Sequence, residues 1–306
     1  MPMTTAIETN HLTKTYGDVT AVDGLSLCVD QGEIYAFLGL NGAGKTTTIR
    51  MLLGMIKPTG GEVSVLGKRI NNGDAKPWES VGYLVETPHA YGELTVRENL
   101  EAIRRLRPGT DRSAVSRIID QLALTAYADR RAGTLSLGNA QRLGLAKALI
   151  PHPRLLILDE PANGLDPAGI VEIRNLLLDL AQNQGVTVFM SSHILGEVSR
   201  LATRIGIIHQ GRLIQELDVD ELERNRRRRL LIRTRDCPAA MSVLVNAGIA
   251  AEVTHDFIEV CDPSAVDHPD EIAVRLVNAG VPPTMLNVEQ EDLEHYFLRL
   301  VGETTL

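Results

Sequence analysis

Apolar positions fall into two spacings along this chain, and the switches between them mark its elements. Ile34, Ala36, Phe37 and Leu38 form a short apolar run. So do Leu155, Leu156, Ile157 and Leu158, and residues 186–190 read as a further strand, apolar but for Thr187. Runs of this length fit strands buried on both faces of a parallel sheet. From Lys45 the spacing changes: Ile49, Leu52, Leu53 and Ile56 recur at i, i+3, i+4 and i+7, which predicts a helix. Another helix is predicted to start near residue 94, with Thr95 and Glu98 spaced for a capping box. Helical patterns recur over residues 113–122 and 141–150, so the stretch from about 87 to 153 reads as mainly helical. Strands alternating with helices predict an α/β fold.

After Glu216 the pattern changes character. Leu244-Val245-Asn246-Ala247-Gly248 recurs as Leu276-Val277-Asn278-Ala279-Gly280. Each copy ends a helical pattern at a glycine that suits a left-handed helix stop. Apolar runs flank the copies at 230–232, 249–253, 257–260 and 285–288, giving strand-helix-strand twice. That predicts a small α+β domain of the ferredoxin-like, split βαβ kind. A last helix carries Leu293, Tyr296, Phe297 and Leu300 on one face. Two domains are therefore expected, 1–217 and 218–306. No constellation of His, Cys or paired carboxylates marks a catalytic site in the second, which reads as structural, regulatory or dimer-supporting.

Composition narrows the picture. A hydrophobic fraction of 44% supports a real core, and a formal net charge of -8 argues against a general nucleic-acid binder. Cys28, Cys237 and Cys261 have no metal-ligand spacing and read as buried thiols of a reducing compartment. Residues 1–20 hold no apolar run, so no secretory signal is expected. No stretch approaches the roughly 18 apolar residues of a membrane span, so a membrane role would come through a separate membrane protein. Arg224 and Arg226, Arg227, Arg228 and Arg229 form a basic cluster in this acidic chain. It reads as a solvated linker or helix end, with contact to acidic lipid headgroups or to a membrane partner's cytosolic face as the sharper alternative.

The chemistry sits in three segments. Gly39-Leu40-Asn41-Gly42-Ala43-Gly44-Lys45-Thr46 lies between the first strand and the first helix, the context of a P-loop. Glycines let backbone N–H groups turn inward around phosphates, and the helix N-terminus adds partial positive charge. Lys45 is expected to reach the β- and γ-phosphates, and the Thr46 hydroxyl to ligate Mg²⁺. The second segment puts Asp159 and Glu160 at the carboxyl end of the 155–158 strand, where open α/β sheets bind ligands. Asp159 suits Mg²⁺; Glu160 suits the role of orienting or deprotonating an attacking water. The third segment is Leu135-Ser136-Leu137-Gly138-Asn139-Ala140-Gln141-Arg142.

The third segment lies between the first two in the chain, and in that order the three resemble the ATP-binding cassette (ABC) transporter family, over about residues 5–217. The resemblance implies a P-loop NTPase cassette with a helical subdomain, binding ATP and Mg²⁺. It implies that Gly39, Asn41, Gly42, Ala43, Gly44, Lys45, Thr46 and Thr47 cradle the phosphates. Tyr16 would stack on adenine, and His193, after Ser191-Ser192, would contact the γ-phosphate. Gly164-Leu165-Asp166-Pro167 matches the loop that touches an opposite subunit. Ser136 and Gly138 would serve the nucleotide of a second cassette, so a head-to-tail homodimer is expected. The family's usual Leu-Ser-Gly-Gly-Gln is altered here: Leu137 replaces the first Gly and Asn139 the Gln. Glu86 stands where most members carry Gln. It can accept a hydrogen bond from water or approach Mg²⁺, and it resembles the ATPases of bacitracin-type and lantibiotic-immunity exporters. The implied function is the ATPase of a drug or antibiotic exporter at the cytoplasmic face of the membrane. A separate multi-span permease is its implied partner, and no nucleic acid is expected. The alternative is a soluble ABC ATPase acting on nucleic acid or ribosomes, but such proteins usually carry a long coiled-coil insertion or two cassettes per chain.

Overall fold

The computed structural model describes residues 5–70, 77–86, 89–107, 109–193, 195–254 and 257–302. Thr87 and Pro88, part of the loop that follows Glu86, lie outside them. The chain divides into two units, Met1–Val219 and Asp220–Leu306.

In the first unit β1 (Thr5–Tyr16), β2 (Val19–Asp30) and β3 (Ile34–Leu38) precede α1 (Lys45–Leu52). Next come β4 (Gly60–Val65), β5 (Lys68–Arg69) and β6 (Val81–Leu84). Three helices follow: α2 (Val96–Arg105), α3 (Ala114–Gln121) and α4 (Leu137–Leu149). Then β7 (Leu155–Asp159), α5 (Pro167–Gln184), β8 (Thr187–Ser192), the short α6 (Leu195–Val198), β9 (Arg204–His209) and β10 (Arg212–Asp218) complete it. A four-stranded antiparallel sheet runs β2-β1-β4-β5, and a six-stranded sheet runs β10-β9-β3-β8-β7-β6. In the second sheet only the β9–β10 pair is antiparallel.

That order fixes the site. β8 lies between β3 and β7, with Leu38 in register with Ser192 and Asp159 in register with Ser191. Three chain segments far apart in sequence thus end side by side. All five residues of β3 and of β7 are buried, as their unbroken apolar runs predict. Each fully buried Leu or Ile contributes about 1.5–3 kcal/mol relative to exposure. Phe189 of β8 fills the space between neighbours, stacked on Tyr35 with ring centroids 5.5 Å apart and tilted against Phe37 at 5.6 Å.

Two helix boundaries differ from the sequence expectation. α1 ends at Leu52, so Ile56 is not on it. Gly54 takes φ +63, and the N–H groups of Gly54 and Met55 donate back to the carbonyls of Met51 and Arg50 at 3.0 and 2.8 Å. This pair of bonds closes the helix end around a left-handed glycine. α4 begins at Leu137, four residues before the predicted start, because Ser136 caps it. The α2 capping box forms as predicted: Glu98 N–H donates to Thr95 Oγ1 at 3.1 Å, and Thr95 N–H to Glu98 Oε2 at 2.7 Å.

Beyond α7 (Val219–Asn225), the second unit contains β11 (Arg228–Thr234), α8 (Cys237–Asn246), β12 (Ala251–Thr254) and β13 (Phe257–Val260). It continues with α9 (Pro263–Asp267), α10 (Pro269–Asn278), β14 (Pro283–Gln290) and α11 (Leu293–Leu300). Its antiparallel sheet has the order β12-β13-β11-β14, so β13 sits between the strands that flank α8. This is the interleaving of a split βαβ unit. The repeated motif supplies equivalent core residues, Leu244 and Leu276, which pack in one cluster with Leu230, Ile232, Ile258 and Val260.

The structure also locates the basic cluster and the cysteines. The basic cluster lies at a helix end, as one alternative expected: Arg224 stands in the last turn of α7, and the run leads into β11. It is part-exposed but ion-paired: Arg228 pairs with Asp267 at 2.7 Å, and Arg229 with both Glu259 and Glu289 at 3.0 Å. Arg226 pairs with Glu223 at 2.8 Å and donates to the Glu291 carbonyl at 2.6 Å. Acidic partners from two neighbouring strands and two helices offset this charge locally. Cys261 is exposed rather than buried, while Cys28 and Cys237 are half-buried.

Candidate functional site

The loop leaving β3 turns directly into α1. Gly44 stands at the junction with φ +108, and a Cβ built there would come within 2.5 Å of the Ala21 carbonyl oxygen. Only glycine permits both that backbone angle and that approach. The first bond of the helix end runs from Thr48 N–H to Gly44 O at 2.9 Å. The N–H groups of Lys45, Thr46 and Thr47 therefore sit in the opening turn, where helices have no internal partners for them. Leu40, Asn41 and Gly42 are exposed, Gly39 and Ala43 buried. The loop thus presents donors and partial positive charge to an anion.

Two lines of polar contact cross the adjacent strand ends. In the first, Thr46 Oγ1 donates to Asp159 Oδ2 at 2.8 Å, and Ser191 Oγ donates to Asp159 Oδ1 at 2.5 Å. In the second, Lys45 Nζ stands 3.3 Å from Glu160 Oε1, and His193 Nδ1 lies 2.6 Å from Glu160 Oε2. Lys45 is 6% exposed and also donates to the carbonyls of Gly39 at 2.6 Å and Leu40 at 3.3 Å. Glu160 turns out of the strand at φ +51, with its N–H held by Ser191 Oγ at 3.0 Å.

The donor set matches a small hard cation. A hydroxyl and a carboxylate, 2.8 Å apart at the P-loop, are oxygen ligands of the type Mg²⁺ takes alongside phosphate and water. Among the described residues no group of three or more His, Cys, Asp or Glu side chains is placed to hold a metal. A cation here would thus lean on its nucleotide, as Mg²⁺ commonly does.

The remaining predicted residues fall in three places. Tyr16 ends β1, half-exposed, with Lys14 Nζ 4.8 Å from its ring centroid. Glu86, at φ +58, pairs with Arg50 of α1, and no hydrogen bond or ion pair joins it to Thr46 or Asp159 among the described residues. Its carboxylate is engaged with the Arg50 guanidinium in this structure. Among the described residues no hydrogen bond or ion pair joins Ser136 or Gly138 to Lys45 or Glu160. Ser136 caps α4, accepting from Asn139 N–H at 3.4 Å, and a Cβ at Gly138 would sit 3.5 Å from the Gly164 carbonyl. Ser136 is exposed and Gly138 half-buried.

Sequence reading passed over two residues. Ser191 was only a neighbour of His193, yet its hydroxyl joins Asp159 to the Glu160 backbone. Gln141, 4% exposed, donates to the carbonyls of Glu160 at 3.3 Å and Pro161 at 3.2 Å. Its signal was a polar residue on the inner face of an amphipathic helix.

The sequence profile of the ABC transporter family matches residues 22–163. The bacitracin transport ATP-binding protein BcrA of Bacillus licheniformis is 40% identical, over 99% of this chain and 100% of that protein. The chain belongs to the ABC transporter family. The BcrA protein of Enterococcus faecalis is 38% identical over 99% of this chain and 98% of its own. The lantibiotic transport ATP-binding protein SrtF of Streptococcus pyogenes is 36% identical over 71% of this chain and 93% of its own. Among solved structures, an ATP-binding subunit of an ABC transporter aligns with TM-score 0.65 and 29% identity, over 72% of this chain and 92% of that one. A nucleotide-free ABC cassette aligns with TM-score 0.64 and 28% identity, over 72% and 94%. This ABC protein is an ATP-binding subunit with the cassette fold, and its reaction is ATP hydrolysis.

Proposed function

We propose that this ABC subunit drives export of a peptide antibiotic of the bacitracin or lantibiotic kind. It would do so by closing head to tail with a second copy over two molecules of ATP. The observation that carries the reading is the pair of polar lines at neighbouring strand ends, Thr46–Asp159–Ser191 beside Lys45–Glu160–His193. Lys45 and the loop N–H groups, from Gly39 to Thr47, bind the phosphates. Thr46 and Asp159 hold Mg²⁺, which neutralises phosphate charge when bound. Glu160 orients the attacking water and accepts its proton, and His193 touches the γ-phosphate. Tyr16 stacks on adenine. Ser136 and Gly138 complete the partner's site.

Closure needs a membrane partner to move. Among the described residues no helix is long and apolar enough to cross a membrane. A groove of about 660 Å³, lined by Tyr83, Glu86, Leu106 and Lys147 among others, supports docking of a separate permease. Tyr83 and Leu106 expose apolar surface there, and burial lowers the pKa of the Lys147 amine. The full-length similarity to bacitracin transport proteins favours this exporter reading over a soluble ATPase acting on nucleic acid.

Complementation tests the composite site. Lys45→Ala removes phosphate binding in one chain, and Ser136→Glu sets a negative charge against the partner's nucleotide. Each variant alone should lose turnover, while mixing them should restore part of it, since one dimer in the mixture pairs an intact Lys45 with an intact Ser136. A mixture as inactive as its components sinks the head-to-tail arrangement. The cargo is tested in cells: with its permease, the wild type should raise tolerance to bacitracin above that of Lys45→Ala. Equal tolerance overturns the cargo assignment.

A further inference from the structure

Helix α4 does more than present Ser136. Its first two turns are fastened to the segment of the same chain that carries Glu160. The Leu137 side chain covers Gly164, where a Cβ would come within 2.4 Å of Leu137 Cδ2. Arg142 Nη1 reaches Glu172 Oε2 at 2.6 Å. Between them Gln141, nearly fully buried, directs both hydrogens of its amide at the successive carbonyls of Glu160 and Pro161.

Those bonds fall where the backbone most needs holding. Glu160 is a non-glycine residue in the left-handed region, a conformation that persists only where its surroundings over-determine it. Its N–H is held by Ser191, and its carbonyl by Gln141 together with Asn163 N–H at 3.0 Å. A turn of this peptide swings the carboxylate off the line between Lys45 and His193.

We propose that Gln141 is a positioning residue for Glu160. From the helix that serves the partner's nucleotide, it fixes the backbone that aims a chain's own carboxylate. Gln141 thereby links the site a chain assists to the site at which it hydrolyses. This link rests on the head-to-tail pairing proposed above; the positioning of Glu160 does not.

Gln141→Met in the full chain keeps the length of the side chain and removes both donors. Because small misplacements of a catalytic group are costly, kcat should fall about tenfold or more. KM for ATP in the presence of Mg²⁺, ATP binding by calorimetry and the melting temperature should stay near wild type. If the dependence of turnover on ATP is cooperative in the wild type, that cooperativity should weaken. Gln141→Glu, of the same shape but unable to donate when ionised, serves if the methionine variant does not fold. Wild-type kcat in a folded variant overturns the proposal. So does a loss of kcat matched by equal losses of ATP binding and melting temperature, since that is a packing role. A wild type that neither associates with ATP nor shows cooperativity overturns the link between sites, and a selective kcat loss in the same experiment still supports the positioning.

Discussion

Ser191 and Glu86 show what residue-level reading does and does not capture. Lys45, Thr46, Asp159, Glu160 and His193 could be read from the sequence because each follows a recognisable strand end, and the structure brings all five together. The direction of a hydroxyl cannot be read that way. Ser191 lies in register with Asp159 on the neighbouring strand, a tertiary fact, and so becomes its hydrogen-bond donor. Glu86 was placed beside the nucleotide by motif order alone. Arg50 stands five residues after Lys45, about 140° further round α1, and that turns it toward Glu86 instead of the loop. Ser191→Ala removes the donor to Asp159 and the acceptor for Glu160 N–H together. Turnover should fall about tenfold or more, with ATP affinity less affected. Steady-state kinetics and calorimetry on one preparation check this, and unchanged kcat would reduce Ser191 to packing.

At the scale of elements, apolar spacing located strands and helices well, while their ends depended on local chemistry. The predicted α1 ran to Ile56 because the apolar spacing continues past Gly54, and spacing carries no information about a left-handed turn. α4 begins before its apolar spacing does, because Ser136 caps it and a cap is set by a hydroxyl and not by periodicity. The α2 cap was readable because both members of its box are encoded three residues apart. Thr95→Ala should therefore destabilise the protein by about 1 kcal/mol. The bonds from Thr95 hold the Glu98 carboxyl below its ordinary pKa. A folded-state pKa below the unfolded one means stabilisation that is complete above the unfolded value and is lost as pH falls through the folded one. Thermal melts check this, and the gap in them between wild type and Glu98→Ala should accordingly narrow in acid, since the chief bond holding that carboxyl comes from the Thr95 backbone N–H. A gap that persists or widens there contradicts the role given to Glu98.

For the whole molecule, the repeat at Leu244 and Leu276 predicted the strand-helix-strand pairs of the second unit, but not the charge pairing inside it. The pairing of Arg228 and Arg229, both nearly half exposed, was not readable because their acidic partners, Asp267 on α9, Glu259 on β13 and Glu289 on β14, come from distant segments that meet only in the fold. The same limit holds for the first unit, where the order β3-β8-β7 assembles the site and no local pattern encodes it. The central claim is that Glu160 activates water for ATP hydrolysis within an ATP-closed pair of chains, and Glu160→Gln tests it most directly. The amide cannot take a proton from water, so turnover should fall by about 10²–10⁴. The change also removes a negative charge beside the γ-phosphate, so ATP should still bind and the closed dimer should accumulate. Gel filtration with ATP and Mg²⁺ beside a turnover assay reads both: the account predicts a dimer peak with hydrolysis lost, and near-normal hydrolysis would contradict it.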